Sequence, residues 1–282
     1  MQVLVNGILF GALLALAAAG LALIFGVMRI VNLAHGEFIA AGAFFGFFAI
    51  GSWKWSLWVA LAAVLAAGAL VGYVLQVVLL RKVVGEGPLR SLLLTFGLSM
   101  VLLGSLSLAF SGDVRSYEAP FGGSVSALGI QVPRQSVLIA GIALVLFLCL
   151  IAMMFWTKTG AALRATAQHR DAAAACGVNL ARIDAIALAV SISLVGAAGL
   201  LLSMRYVVRP EFGQPWLLQS IIVIVLGGMG SLSGAAAGGV AIGVAFTALS
   251  YLYGSVVGQL ALYAAIFLLL LVRPHGFAGA QA

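Results

Sequence analysis

The chain has 282 residues, 64% of them hydrophobic and 7% charged, with a formal net charge of +7 and two cysteines. No soluble domain of that size hides so much apolar surface, so the composition excludes a soluble enzyme and requires a polytopic protein of the lipid bilayer. The excess of cations sits in short connections between apolar runs, which reads as membrane topology and not as a nucleic-acid footprint.

Apolar runs of spanning length recur at 3–28, 56–80, 91–110, 136–156, 183–204, 217–253 (long and interrupted by glycine) and 258–272. With the segment after Gly36, and at about 20 residues per span, these predict an all-α membrane protein with roughly eight to nine crossings. The polar connections are short, so 1–282 reads as one transmembrane domain with no room for a soluble catalytic or nucleotide-binding unit. The first run carries neither a basic leader nor a small-residue cleavage site and is expected to be retained as a span.

The stretch 30–46, IVNLAHGEFIAAGAFFG, places Asn32, His35 and Glu37 inside apolar sequence. A carboxylate at the centre of a spanning helix costs about 2.5–3.5 kcal/mol, so it usually faces a bundle interior, a cavity or a partner. His35 and Glu37 are two apart and would leave opposite sides of a continuous helix, whereas a break at Gly36 would let both face one lining. We therefore expect a broken or re-entrant segment, with Asn32 satisfying freed backbone groups and Glu37 in the first turn of the next helix. A short loop between two helices is the alternative.

Charge asymmetry assigns the sides. Arg81, Lys82 and Arg90 outnumber Glu86; Lys158, Arg164, Arg170 and Arg182 outnumber Asp171 and Asp184; and Arg273 follows the last run. These places are expected to be cytoplasmic. The stretch 112–135 is balanced and rich in Gly and Pro, as suits an external loop with a short extended piece at 126–132. A second external connection is expected over 205–216, where Arg205, Arg209 and Glu211 stand between aromatics. The cysteines, Cys149 and Cys176, have no metal or disulfide spacing.

Two further stretches stand out. In 158–184, Thr159-Gly160 is expected to open an alanine-rich helix through Gln168, Asp171 to cap a second helix over 172–176, and Gly177 to supply the left-handed residue that ends it. Such a helix pair fits either a partner's groove or the lipid headgroups. Near the C-terminus, LGGMGSLSGAAAGG over 226–239 interrupts an apolar run much as NLAHGE does near the N-terminus. Gly-interrupted segments in corresponding halves point to a pathway near the membrane midplane, which makes Gly228, Gly230 and Gly234 candidates beside Asn32, His35, Gly36 and Glu37. Of seven GxxxG pairs, chance supplies several at this glycine content. Only the consecutive run Gly230, Gly234, Gly238 is taken as a helix-packing face.

The succession GxxxALAxxGLALIFGVMRIVNLAHGEF, TGAALRATAQHRDAAAACGVN, LGGMGSLSGAAAGG and VRPHGFAG resembles the permease subunits of branched-chain amino acid ABC importers, the LivH type, over nearly the whole chain. The resemblance implies a bacterial inner-membrane location and four kinds of neighbour: a second, related permease (LivM type), two cytoplasmic ABC ATPases that hold ATP and magnesium, and a periplasmic amino-acid-binding protein. It implies further that the segment of about 158–183 is the loop that couples to the ATPases, with Gly160, Arg164, Ala165, Ala172, Ala173 and Gly177 on motif positions. The chain departs from the family pattern at His169 and Arg170, where an acidic residue is common, at Gln219, where a lysine often stands, and at Ser233, where proline is usual.

Three function classes compete. An ABC permease is expected to carry no cofactor and no ATP site of its own, and here no Lys follows a Gly, so the P-loop pattern is absent. An ion-coupled secondary transporter or channel for a small polar solute should carry several intramembrane carboxylates, but Glu37 alone qualifies. An intramembrane enzyme needs converging His, Asp, Glu or Cys, which the spacing does not provide.

Overall fold

The computed structural model describes residues 1–85, 87–117, 121–127 and 130–272. Glu86, Glu118 and the segment from Arg273, which the sequence assigns to connections, lie outside these. The helices are α1 (Gln2–Met28), α2 (His35–Gly46, continued by a π-helical turn Phe47–Ser52), α3 (Leu57–Val78), α4 (Pro88–Phe110), α5 (Arg134–Trp156), α6 (Lys158–Gln168), α7 (Arg170–Ala175), α8 (Leu180–Ser203), α9 (Gly213–Gly227), α10 (Leu232–Tyr253) and α11 (Ser255–Val272). Strands β1 (Ser124–Ala127) and β2 (Ile130–Pro133) form a two-stranded antiparallel hairpin, where the extended piece is expected.

Six helices among the described residues, α1, α3, α4, α5, α8 and α10, are long and apolar enough to cross a membrane. The difference from eight to nine expected crossings lies in α2, α9 and α11. The α2 and α9 helices begin inside the bundle, so each accounts for part of a crossing.

Two membrane faces are defined by contacts. The Gln2 side chain donates to the Gln131 carbonyl of β2 at 3.1 Å, so the N-terminus lies at the face that carries the hairpin. At the other end of α1, the Val27 carbonyl accepts from Arg170 of α7, so α1 ends at the face rich in Arg and Lys. The charge-poor N-terminus gave no hint of this in sequence.

Both buried central helices, α1 and α8, are held by glycine. A Cβ on Gly7 or Gly11 of α1 would run into the α10 backbone at Val244 or Val240, at 2.7 Å, and Gly239 of α10 meets Ala15 at the same distance. On the other side of the bundle, Gly68 and Gly72 of α3 come as close to Ser193 and Ala189 of α8. Small residues let backbones meet where lipid offers no hydrophobic drive for association. The pairs Gly7/Gly11, Gly68/Gly72 and Gly239/Gly243, which statistics alone discount, thus form the two main helix seams. In the run expected to form a packing face, Gly230 packs on Gly26 of α1 while Gly234 and Gly238 pack on α9 at Gly227 and Val223.

The seams reveal an inverted repeat. From α1 to α4 the chain runs through a long helix (α1), a re-entering stretch, a half-helix (α2), a long helix (α3) and an outer helix (α4). The series α8, α9, α10, α11 repeats that order in the opposite direction, and α1 pairs with α10 as α8 pairs with α3. Inverted repeats with broken helices place solute sites at the repeat interface.

Candidate functional site

The chain breaks between α1 and α2 at 29–34. Arg29 takes the left-handed conformation (φ 57°) and closes α1 with its N–H on the Phe25 carbonyl. Residues 30–34 then turn back into the membrane. Asn32, 2% exposed, accepts the Ala34 N–H on its Oδ1 at 3.1 Å, and its carbonyl accepts the His35 N–H at 3.2 Å. A buried backbone free of its helix needs such local acceptors, the role expected of Asn32. His35 then donates Nε2–H to the Ala17 carbonyl at 3.0 Å. Ala17 lies 11 residues from the end of α1. At 1.5 Å per residue this puts the start of α2 about 16 Å inside a core of about 30 Å.

The break therefore lies at 29–34, upstream of Gly36, where the sequence suggests it. Gly36 is helical, and His35 and Glu37 leave α2 on different sides, His35 to α1 and Glu37 to α4. They do so because α2 is continuous through Gly36 and residues two apart diverge on a helix. Glu37 accepts the Ser99 hydroxyl on Oε1 at 3.1 Å, while its Oε2 is buried without a partner. One turn nearer the basic face, Thr95 donates to the Val31 carbonyl at 3.2 Å. Ser91, Thr95 and Ser99 recur every fourth residue, so α4 presents a polar stripe to the re-entrant segment. That period is visible in sequence but is easily read as part of an apolar span.

A second re-entrant stretch mirrors the first. After α8, residues 204–212 lead inward through a single turn at Pro210–Phe212 to the start of α9. Val208, Pro210, Phe212, Gly213 and Trp216 are buried, so 205–216 is not the wholly external connection that its charges suggest. The Arg115 and Val208 backbones pair with each other and tie the two outer connections together. Gly213 then meets Gly36: a Cβ on Gly36 would lie 2.9 Å from the Gly213 carbonyl oxygen. Two half-helices thus start nose to nose near the bundle centre, α2 rising to the hairpin face and α9 descending to the basic face.

It follows that the counterpart of NLAHGE is the stretch before Gly213 and not LGGMGSLSG. Gly228 and Gly230, with φ of 93° and 86°, make the tight turn between α9 and α10 at the basic face, where Gly230 packs on Gly26. Gly234 fits against Gly227 in the same hairpin. The structure brings together Asn32, His35, Gly36 and Glu37, but it keeps Gly228, Gly230 and Gly234 at the membrane face. Sequence reading missed Ser99, Thr95 and Gly213. It marked Gln219 of α9 only as a departure from the family pattern and missed Ser220 beside it; their Oε1 and Oγ are buried without partners.

At the basic face, α6 and α7 form the segment between α5 and α8. Thr157 caps α6 by accepting the Gly160 N–H at 2.9 Å, two residues earlier than Thr159-Gly160. Gly160 is buried against the Met153 and Met154 carbonyls and leaves no room for a side chain. His169 caps α7 through Nδ1 to the Ala172 N–H at 3.3 Å, displacing Asp171 from that role. The side chain three residues before the amide it caps is in reach, and Asp171 already lies inside the helix. Gly177 ends α7 at φ 84°, as expected. Arg164 stacks over Phe155 at 5.0 Å, and Ala173 is buried. Ala165, Ala172 and Gly177 are exposed, a smooth surface of small residues.

The model of the branched-chain amino acid transport system permease component matches residues 3–272. The chain belongs to this permease family. It is 29% identical over 296 residues to the high-affinity branched-chain amino acid transport system permease protein BraD of Pseudomonas aeruginosa, covering 99% of this chain and 95% of that one. To the permease protein LivH of Escherichia coli K12 the identity is 28%, and to LivH of Salmonella typhimurium 27%, each with the same coverage. A probable LivH of Methanocaldococcus jannaschii is 24% identical over 99% of this chain and 92% of its own. No solved structure matches.

For a permease of this family, the geometry separates two regions. One is a meeting point of half-helices with a buried carboxylate at the bundle centre. The other is a small-residue surface on two short helices at the basic face.

Proposed function

We propose that this chain is the membrane permease subunit of an ATP-driven ABC importer that moves branched-chain or related amino acids from periplasm to cytoplasm across a bacterial inner membrane. It works with a second, related permease, two cytoplasmic ATPases that hold ATP and magnesium, and a periplasmic binding protein. The observation that carries the reading is the family match over residues 3–272, beside relatives named as permeases of branched-chain amino acid transport systems. The fold agrees in two respects. The chain spends its length on apolar helices and short connections, which suits a subunit that takes its energy from partner ATPases. The exposed Ala165, Ala172 and Gly177 on α6 and α7 suit docking into an ATPase groove, in the manner of a helix laid in a cleft. Gly160, Arg164 and Ala173 serve from within, by holding those helices on α5 and α8.

Alternating exposure of a central site would then follow from rocking one half of the inverted repeat against the other, with Gly36 and Gly213 at the pivot. Half-helices of this kind also occur in ion-coupled carriers, which keeps that second reading in play. Genes for two ATPases, a second permease and a secreted binding protein beside this one are the first expectation. The deciding experiment reconstitutes the permeases with those ATPases in proteoliposomes. Leucine or isoleucine uptake should require the binding protein and internal-face ATP, and should vanish when the ATPase P-loop lysine is replaced. Uptake driven by a sodium or proton gradient without the ATPases would overturn the assignment in favour of a secondary carrier.

A further inference from the structure

At the basic face, where α1 gives way to the re-entrant stretch, a cavity of about 320 Å³ opens between residues 28–30 and the connection from α3 to α4. It has the size of a small ligand pocket, a class that runs from roughly 300 to 1,000 Å³. Met28, Ile30 and Val83 give it apolar walls, and Arg29 is the charged residue of its lining. Gly85 and Gly87 leave one side bare: they take φ of 89° and 103°, and a Cβ on either would meet nothing within 4 Å.

The charge at this cavity is unspent. The Arg29 side chain is exposed and has no hydrogen-bond or ion-pair partner among the described residues. Arg81 and Lys82, likewise exposed and without a partner there, stand on the single turn Leu80–Lys82 that runs into Val83. The guanidinium of Arg29 is carried at a conformational cost, since the residue holds left-handed angles (φ 57°) that glycine adopts freely. A guanidinium has five donors and no acceptor, and it matches the oxygens of a phosphate in pairs. Beside the cavity, the end of α3 and the start of α4 have little contact with each other and expose Val74, Val77, Val78, Leu89, Leu92 and Leu93. A cationic mouth thus adjoins apolar surface at the level of the lipid headgroups.

We infer that this cavity seats the phosphodiester headgroup of an anionic phospholipid of the cytoplasmic leaflet, with Arg29 forked on the phosphate and Arg81 and Lys82 adding to the field that attracts it. A soluble phosphate or an acidic protein side chain would make no use of the apolar surface at the ends of α3 and α4, whereas the acyl chains of a lipid cover it. An excess of Lys and Arg at the cytoplasmic face orients a chain without binding any particular lipid, so the test compares cations that share that face.

The assembled complex is freed of lipid in a neutral detergent and titrated with phosphatidylglycerol, with phosphatidylcholine of the same acyl chains, or with inorganic phosphate. Bound lipid is counted by native mass spectrometry, and melting temperature is followed beside it. The wild type should hold one phosphatidylglycerol per copy of this chain more tightly than the rest, with a rise in melting temperature that phosphatidylcholine and phosphate do not give. Arg29→Gly removes the charge and relieves the backbone, so without lipid it should melt no lower than the wild type, yet bind phosphatidylglycerol about tenfold more weakly. Arg81→Gln with Lys82→Gln, on an exposed turn, should weaken binding a few-fold, and Arg182→Gln, an exposed cation at the same face on α8, should leave it unchanged. Binding by Arg29→Gly equal to that of the wild type, or an equal loss in Arg182→Gln, would overturn the inference. So would a full response to inorganic phosphate, which would make the cavity a site for a soluble anion. Loss of the ATPases from Arg29→Gly with lipid binding intact would overturn it too, by giving the cavity to an acidic side chain of that subunit.

Discussion

Arg170 grips Asp184 with both ends of its guanidinium, Nη1 to Oδ1 at 3.0 Å and Nη2 to Oδ2 at 2.5 Å, and the same Nη1 reaches the Val27 carbonyl at 3.3 Å. One side chain therefore joins α7, the start of α8 and the end of α1. Asp184 is 2% exposed, so the fork is what makes a carboxylate tolerable there. Arg170 is thereby committed to holding the α6–α7 segment on the bundle.

Arg170→Ala should destabilise the permease by about 1–3 kcal/mol, because it strands a buried carboxylate. Adding Asp184→Asn should restore part of the loss, since the remaining amide is neutral. Thermal unfolding in detergent, followed for both variants beside the wild type, checks this. Equal melting temperatures for the single variant and the wild type would show that the fork carries no stability.

Gly36→Ala tests the meeting of the half-helices. Gly36 has helical backbone angles, so alanine has no conformational difficulty there. The added methyl would nevertheless lie 2.9 Å from the Gly213 carbonyl oxygen. Overpacking of this kind costs about 1–3 kcal/mol, and Gly213→Ala, whose methyl would press on the Gly36 backbone, should cost at least as much. Expression level and detergent melting temperature are the readouts. Wild-type behaviour of both variants would mean that the two helix starts can part without loss.

Gly177→Val isolates backbone conformation from packing. A Cβ at Gly177 meets nothing within 4 Å, and the φ of 84° is the whole obstacle. The variant should reach the membrane in normal amount, with α7 ending differently and ATP-driven uptake falling several-fold, whereas Gly177→Asn should keep most activity because Asn tolerates left-handed angles. Normal uptake by the valine variant, with the ATPases still co-purifying, would exclude this turn from coupling.

Sidedness can be read with a membrane-impermeant thiol reagent on intact cells. Ser126→Cys on β1 should react from outside, and Ala165→Cys on α6 only after the membrane is opened, in a background free of the native cysteines. Both side chains are exposed, so accessibility reports the side of the membrane and not burial. The reverse pattern would invert the topology.

Much of the architecture was legible before any coordinates. Hydropathy located the long helices because a bilayer accepts only backbones that satisfy their own hydrogen bonds, and Lys/Arg clustering placed one set of connections together. The need of a buried Asn, His and Glu for partners marked 30–46 as a break, and glycine chemistry marked the end of α7. Three-dimensional packing decided the rest. Whether the break fell at Gly36 or at 29–34 depended on the Ala17 carbonyl being available to His35, a contact 18 residues away. Which glycines mattered depended on the partner helix: Gly7 and Gly11 look like chance until α10 lies on them. Gly213 had no marking in its own sequence as the mate of Gly36, because two half-helices from distant parts of the chain meet only when the repeat closes around them. Local chemistry determines where a chain may turn within the membrane, and only long-range packing determines what it turns to face.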